Sequence, residues 1–215
     1  DLEADLNEAI TDGSFNVMLD LRNLGAGADY DPINAFLYAG KDGMGTTWNV
    51  APEFLDAPPS LDTAKVKFPD SYLTGNTWVS GNKGTVGLNI AIGGASFSLN
   101  IRSAVITMNL DSAHGSASGG VIAGVLDTEE LISQIRDILG PFISCDGAGV
   151  DGILNQIRQG SDIMKDGSQD PNAECNGISI GLGFDATPVT IAGVGMPAEP
   201  GENPCEGGGG AGGGM

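Results

Sequence analysis

A two-residue hydrophobic period runs almost unbroken through the middle of the chain. Val86, Leu88, Ile90 and Ile92 lead to Gly93-Gly94, after which Phe97, Leu99 and Ile101 alternate with Ser96, Ser98, Asn100 and Arg102. Successive side chains of a strand point to opposite faces, so this period separates an aliphatic face from a polar one, which a helix could not do. The glycine pair between two such runs predicts a hairpin. Ala104, Ile106, Met108 and Leu110 continue the alternation, "DSAHGSASGG" turns the chain, and "VIAGVL" returns it. Three or four neighbouring strands in an antiparallel meander are expected. Their aliphatic face forms core, while the Ser-, Thr- and Asn-rich face is solvated or receives a partner.

The same period recurs near both ends. Phe15, Val17, Leu19 and Leu21 alternate with Asn16, Met18, Asp20 and Arg22, predicting a strand with one buried face. Ile178, Ile180, Leu182 and Phe184 alternate with Ser179, Gly181, Gly183 and Asp185, and "PVTIAGV" is read as an extension of that strand past Pro188. Helical spacing takes over in three places. Leu2, Leu6, Ala9 and Ile10 share a face and stop at Gly13, a residue suited to a left-handed C′ position. Asp127 and Glu130 have capping-box spacing ahead of Leu131, Ile132, Ile135, Ile138 and Leu139, with Gly140-Pro141 as the expected stop. Val150, Ile153, Leu154 and Ile157 make a second, shorter stripe, and both stripes are expected to cover the sheet. Residues 24–82 show strand candidates at "INAFLYAG" and "AKVKF" between Pro-, Asp- and Gly-bearing segments, which predict long surface loops.

The expected fold is mainly β (α+β): an antiparallel meander, sandwich- or barrel-like, covered by two or three short helices near 2–12, 128–139 and 150–158. At 215 residues the chain can bury one core without help from disulfides, so 1–195 is read as a single domain and 196–215 as a Pro/Gly-rich tail.

Nine Lys and Arg stand against 28 Asp and Glu, a formal charge of −19. Such a surface repels phosphate backbones and anionic headgroups, which excludes nucleic acid as a partner and otherwise serves solubility. No apolar run reaches the roughly 18–20 residues of a membrane-spanning helix. The chain begins with Asp1 instead of Met, and a removed N-terminal export signal is the expectation drawn from it.

Cys145, Cys175 and Cys205 fall thirty residues apart, without the paired spacing of a zinc or redox site. Three pairings are possible. Cys145 with Cys175 is preferred, because each abuts a predicted element, which leaves Cys205 idle or bonded to another chain. In "DGSQDPNAE", Asp166, Ser168, Asp170, Asn172 and Glu174 place an oxygen-bearing side chain at every second position, like the first half of a calcium loop. Pro171 and Gly177 occupy positions where an EF-hand needs glycine and a bidentate Glu, so any calcium site here is of another kind.

Catalytic sets are missing. His114 lies in a turn without a nucleophile elbow, and no zinc-protease or phosphate-loop spacing occurs. "GISIGLGF" reads as strand, so its glycines cannot present a helix N-terminus to phosphate. No catalytic residue or obligatory cofactor is assigned. Trp48, Tyr30, Tyr72 and Trp78 could stack on a sugar ring if their loops were exposed, and the inside of the sheet could hold an apolar molecule.

"DLNEAITDGSFNVMLDL", "VITMNLDSAHGSASGGVIAGVLDTEELISQI" and "CNGISIGLGFDATPV" together resemble uncharacterised secreted or lipid-anchored surface proteins of myxobacteria and related bacteria. The resemblance implies export and a β-rich fold, and carries no activity onto any residue. What lies outside it is the Trp-bearing loops and the tail, where Gly207, Gly208, Gly209, Gly210, Gly212, Gly213 and Gly214 precede Met215. Glycine loses the most conformational freedom on ordering, yet its bare backbone fits a neighbour's sheet edge. The expected function is therefore a non-enzymatic extracellular structural protein, a homo-oligomeric or polymeric subunit of a fibre or surface layer. The rival expectation is a monomeric cell-surface module for a glycan or apolar ligand.

Overall fold

The computed structural model describes residues 2–92, 95–143 and 151–197. Among them, ten strands form one mixed, open sheet: β1 (Asn16–Arg22), β2 (Tyr30–Met44), β3 (Thr47–Val50), β4 (Val66–Thr74), β5 (Thr77–Val79), β6 (Gly84–Ile92), β7 (Ala95–Leu110), β8 (Ala117–Asp127), β9 (Gly177–Ala186) and β10 (Thr190–Val194). Three helices accompany it: α1 (Leu2–Asp12), α2 (Thr128–Ile143) and α3 (Asp151–Gln159). The fold is mainly β with added helices, as the alternation predicts; β6, β7 and β8 form the expected antiparallel meander, and β9 adds a further antiparallel strand beside β8.

Two long strands organise the sheet. Gly40 of β2 pairs with both Asn16 and Val50, and Ala35 with both Leu21 and Phe68, so β1 occupies one edge of β2 while β3 and β4 share the other. Thr107 of β7 pairs with Val79 and Val121, which places β8 opposite the edge shared by β5 and β6. Inward side chains from β1, β2 and β4 through β9 meet in one core. Leu37, Trp78, Val86, Ile101 and Ile106 are completely buried there, and Phe68 meets Trp78 edge to face at 6.0 Å.

Several elements depart from the sequence expectation. Residues 24–82 supply four of the ten strands in place of the expected long surface loops: β2 alone spans fifteen residues, and its Leu37, Tyr38, Ala39 and Gly40 are buried consecutively, which erases the alternation. Trp48 and Trp78 are core residues, so neither offers a face to a sugar ring. β1 is packed against on both faces, with Met18 buried and the rest half-buried. Val17, Leu19 and Leu21 pack on the main core, while Met18 enters a second cluster with Tyr38, Trp48, Val50, Leu55 and Ala64 on the opposite side.

The "PVTIAGV" segment does not prolong β9. It forms β10, parallel to β3, while β9 pairs with β8. Only residues 187–189 join β9 to β10, and chain geometry limits such a link to about 15 Å. The sheet must curl enough to bring these strand ends together, giving an incomplete barrel.

α1 ends at Gly13, whose φ of +87° gives the left-handed stop, and a Cβ there would collide with the Gly43 carbonyl oxygen. Leu6 and Ala9 face the core, whereas Ile10 is turned to solvent. α2 passes Gly140-Pro141 and ends at Ile143; Pro141 withholds one backbone donor near the helix end without stopping it. Only half of its capping box forms. The Asp127 carboxylate accepts from the Glu129 and Glu130 amides, but the Glu130 carboxylate turns away to Asn100 and Arg102. α3 packs on α2, where Ile132 and Leu154 are buried with Ile135 and Ile157 beside them, so it covers the helix and not the sheet.

Candidate assembly interface

β9 is bonded to β8 along one edge, from Asp127↔Gly177 to Ala117↔Ala186. Its other edge identifies itself through the start of the strand. Gly177 exchanges backbone hydrogen bonds with Ile163, and the Ser179 amide donates to Asp162 Oδ1 at 2.7 Å. Residues 177 and 179 therefore direct their backbone groups away from β8, and the two-residue period gives Gly181, Gly183 and Asp185 the same direction. Beyond Ser179 that edge is bare among the described residues: the amides of Gly181, Gly183 and Asp185 and the carbonyls of Ser179, Gly181, Gly183 and Asp185 have no backbone partner.

Side chains do little to guard it. Proteins usually protect such an edge with Lys, Pro, a bulge or a covering segment. Here the outward side chains are Ser179, Gly181, Gly183 and Asp185, all exposed, and a Cβ on Gly181 would meet only open space. Asp185 Oδ1 is occupied by the Gly119 amide at 2.9 Å. On the other face Ile178, Ile180, Leu182 and Phe184 are half-buried, as expected of apolar residues at a sheet margin with one flanking strand. The Ser179 hydroxyl and amide hold the Asp162 carboxyl below its ordinary range, fixing the 161–163 segment as a stop at one end of the edge.

A cleft of about 450 Å³ lies nearby, lined by Lys83, Thr85, Arg102, Ser103, Lys165 and Asp166. Most of its positive charge is matched. Arg102 bonds Glu130 at 2.8 Å and lies 3.6 Å from Asp127, while Lys165 approaches Asp127 to 3.1 Å. Burial pushes the Asp127 carboxyl upward, but Lys165, the Glu130 amide and the charge of Arg102 together hold it below the usual carboxylate range.

The alternating-oxygen loop is engaged with itself. Asp166 accepts from the Ser168 amide and hydroxyl, and Asp170 accepts from the Asn172 amide, two turns in which each carboxylate binds its own backbone two residues on. Among the described residues no group of three acidic, His or Cys side chains is gathered as metal ligands, and Glu174 does not join Asp166 and Asp170 in one. Cys175 is half-buried and bears a free thiol, while Cys145 and Cys205 lie outside the described residues. The tail glycines from Gly207 to Gly214, and Met215, lie outside them as well. His114 sits at φ +54° in a turn organised by Asp111, whose carboxylate accepts from Ala113, Gly115 and Ser116. Its Nε2 is buried without a partner among the described residues.

The open edge of β9 was not singled out from the sequence, although a signal existed: two glycines on the polar side of an otherwise regular alternation leave a strand without side chains to shield its margin. No family model, curated protein or solved structure matches the chain. Among the described residues, no helix is long and apolar enough to cross a membrane.

Proposed function

We propose that this chain is a non-enzymatic extracellular structural protein, a subunit of a self-assembling fibre or surface layer in which the Gly-rich tail contacts a neighbouring copy. The observation that carries self-association is the outer edge of β9, bare among the described residues, since unpaired strand backbone is a template for another chain. A tail reaching from one copy to the next makes a heterologous contact, and such contacts propagate into filaments when their rotation does not close. Light scattering and electron microscopy of the purified full chain test this. Large, heterogeneous particles are expected, reduced to small discrete species by deletion of 206–215 with the melting curve unchanged. A full chain that stays monomeric at high concentration refutes the reading, and undiminished polymerisation after the deletion removes the tail from it.

A further inference from the structure

We propose that β9 of one copy pairs antiparallel with β9 of a second copy, about a two-fold axis passing at Leu182. This rests on the reading that the chain self-associates, and it names the surface and the register. The register follows from which backbone groups are unused. Outward-facing residues must meet outward-facing residues, so the axis can pass only at positions that set odd-numbered residues opposite one another. With the axis at Leu182, Gly181 faces Gly183 of the second copy and Ser179 faces Asp185, and every outward position beyond Gly177 is used twice. Centring on Gly181 instead drives Asp185 against Gly177, whose amide and carbonyl are already bonded to Ile163. Centring on Gly183 drives Ser179 past the end of the strand at Ala186.

Charge and packing agree with the same axis. Asp185, the only charged residue between Gly177 and Ala186, lies opposite Ser179 and not opposite its own symmetry mate. Leu182 meets Leu182 and Ile180 meets Phe184, which continues the half-buried apolar face across the seam. On the exposed face Gly181 and Gly183 leave the approach clear. The seam would hold about six backbone hydrogen bonds, because the Ser179 amide stays with Asp162 in each copy. Opposing it is the −19 charge on each copy, so association should strengthen as salt screens that repulsion.

The tests use the full chain and the chain lacking 206–215. At high salt the deleted chain is expected to run as a dimer by sedimentation equilibrium. Gly181→Pro should make it monomeric with an unchanged melting temperature, because that amide points away from β8 and the site has room for a side chain; Gly181→Ala should remain dimeric. In a background with Cys145, Cys175 and Cys205 changed to Ser, Leu182→Cys oxidised with diamide should give a covalent dimer and Gly181→Cys should not. A monomeric deleted chain at high salt overturns the inference. Loss of the dimer in Gly181→Pro without any Leu182→Cys cross-link also overturns it, since the edge is then taken by a strand of the neighbour other than β9. If the full chain assembles but ignores Gly181→Pro and forms no cross-link, this inference falls while self-assembly stands; a monomeric full chain removes self-assembly itself.

Discussion

Ser71 is the sharpest test of how the sheet is held together. It is fully buried on β4, its hydroxyl donates to the Ile33 carbonyl of β2 at 2.6 Å, and it accepts from the Trp78 indole N–H of β5 at 3.1 Å. One oxygen thus joins three strands where the register of β2 against β4 shifts on either side of Ile33. Ser71→Ala removes the recorded partner of a completely buried indole donor and one acceptor contact of a carbonyl. A buried donor left without a partner costs about 1–3 kcal/mol and a neutral hydrogen bond contributes about 1, so the variant should lose about 2–4 kcal/mol. That is a large share of the roughly 5–15 kcal/mol that holds a typical domain folded.

Trp78→Phe separates the two parts of this cost. It deletes the N–H together with some ring volume, and by itself should destabilise by about 1–3 kcal/mol. In the double variant no indole donor remains to be stranded, so the combined loss should fall short of the sum by about 1–2 kcal/mol. Urea unfolding followed by far-ultraviolet circular dichroism measures both, as shifts in midpoint at constant slope. A Ser71→Ala change within about 0.5 kcal/mol of wild type, a scale ordinary for surface substitutions, or strict additivity with Trp78→Phe, would refute the account.

Gly13→Ala should destabilise by more than about 2 kcal/mol in the same assay, because its positive φ and a backbone clash act together, while Gly75→Ala, at φ +53° with open space around it, should cost only about 1. Asp127 is held below its ordinary range, so its ion pairs stabilise the fold above the unfolded carboxylate value near about 3.9 and are lost as pH falls through the lower folded value. Asp127→Asn keeps an acceptor for the cap, so it should be about 1 kcal/mol less stable than wild type at pH 6, with the gap closing below about pH 4; a gap unchanged at acid pH would rule the ion pairs out.

The meander was legible because β6, β7 and β8 each present one face to the core, and Val86, Ile101 and Ile106 stand where the alternation placed them. β2 was only partly legible for the opposite reason. Its Leu37 and Tyr38 are both fully buried, one in each cluster, because a second apolar layer from Leu55, Ala64, Ile191 and Val194 covers the outer face of the sheet there. The two-residue period reports solvent on one side, and a strand covered on both sides does not produce it. The destination of β10 was hidden differently. Its sequence is a good strand, but its partner is β3, more than a hundred residues back, and nothing local encodes a parallel pairing at that distance. The unpaired edge of β9 was masked by the same ambiguity, since an outward-facing polar residue looks alike whether a neighbouring strand flanks it or not.

The lack of a local guard on β9 is intelligible once the range of the competing forces is considered. Backbone pairing acts only at contact, whereas repulsion between two copies of charge −19 acts over the screening length. That length is about 30 Å at 0.01 M salt and about 8 Å at 0.15 M, so dilute salt keeps the edges apart while moderate salt lets them touch. Lys or Pro on the edge would forbid pairing under every condition. A net charge of −19, of which β9 itself carries only Asp185, set against Ser179 across the proposed axis, restrains the encounter yet leaves the proposed seam almost free of like-charge contact. Salt should therefore set how strongly copies associate, and Gly181→Pro whether the edges can pair at all.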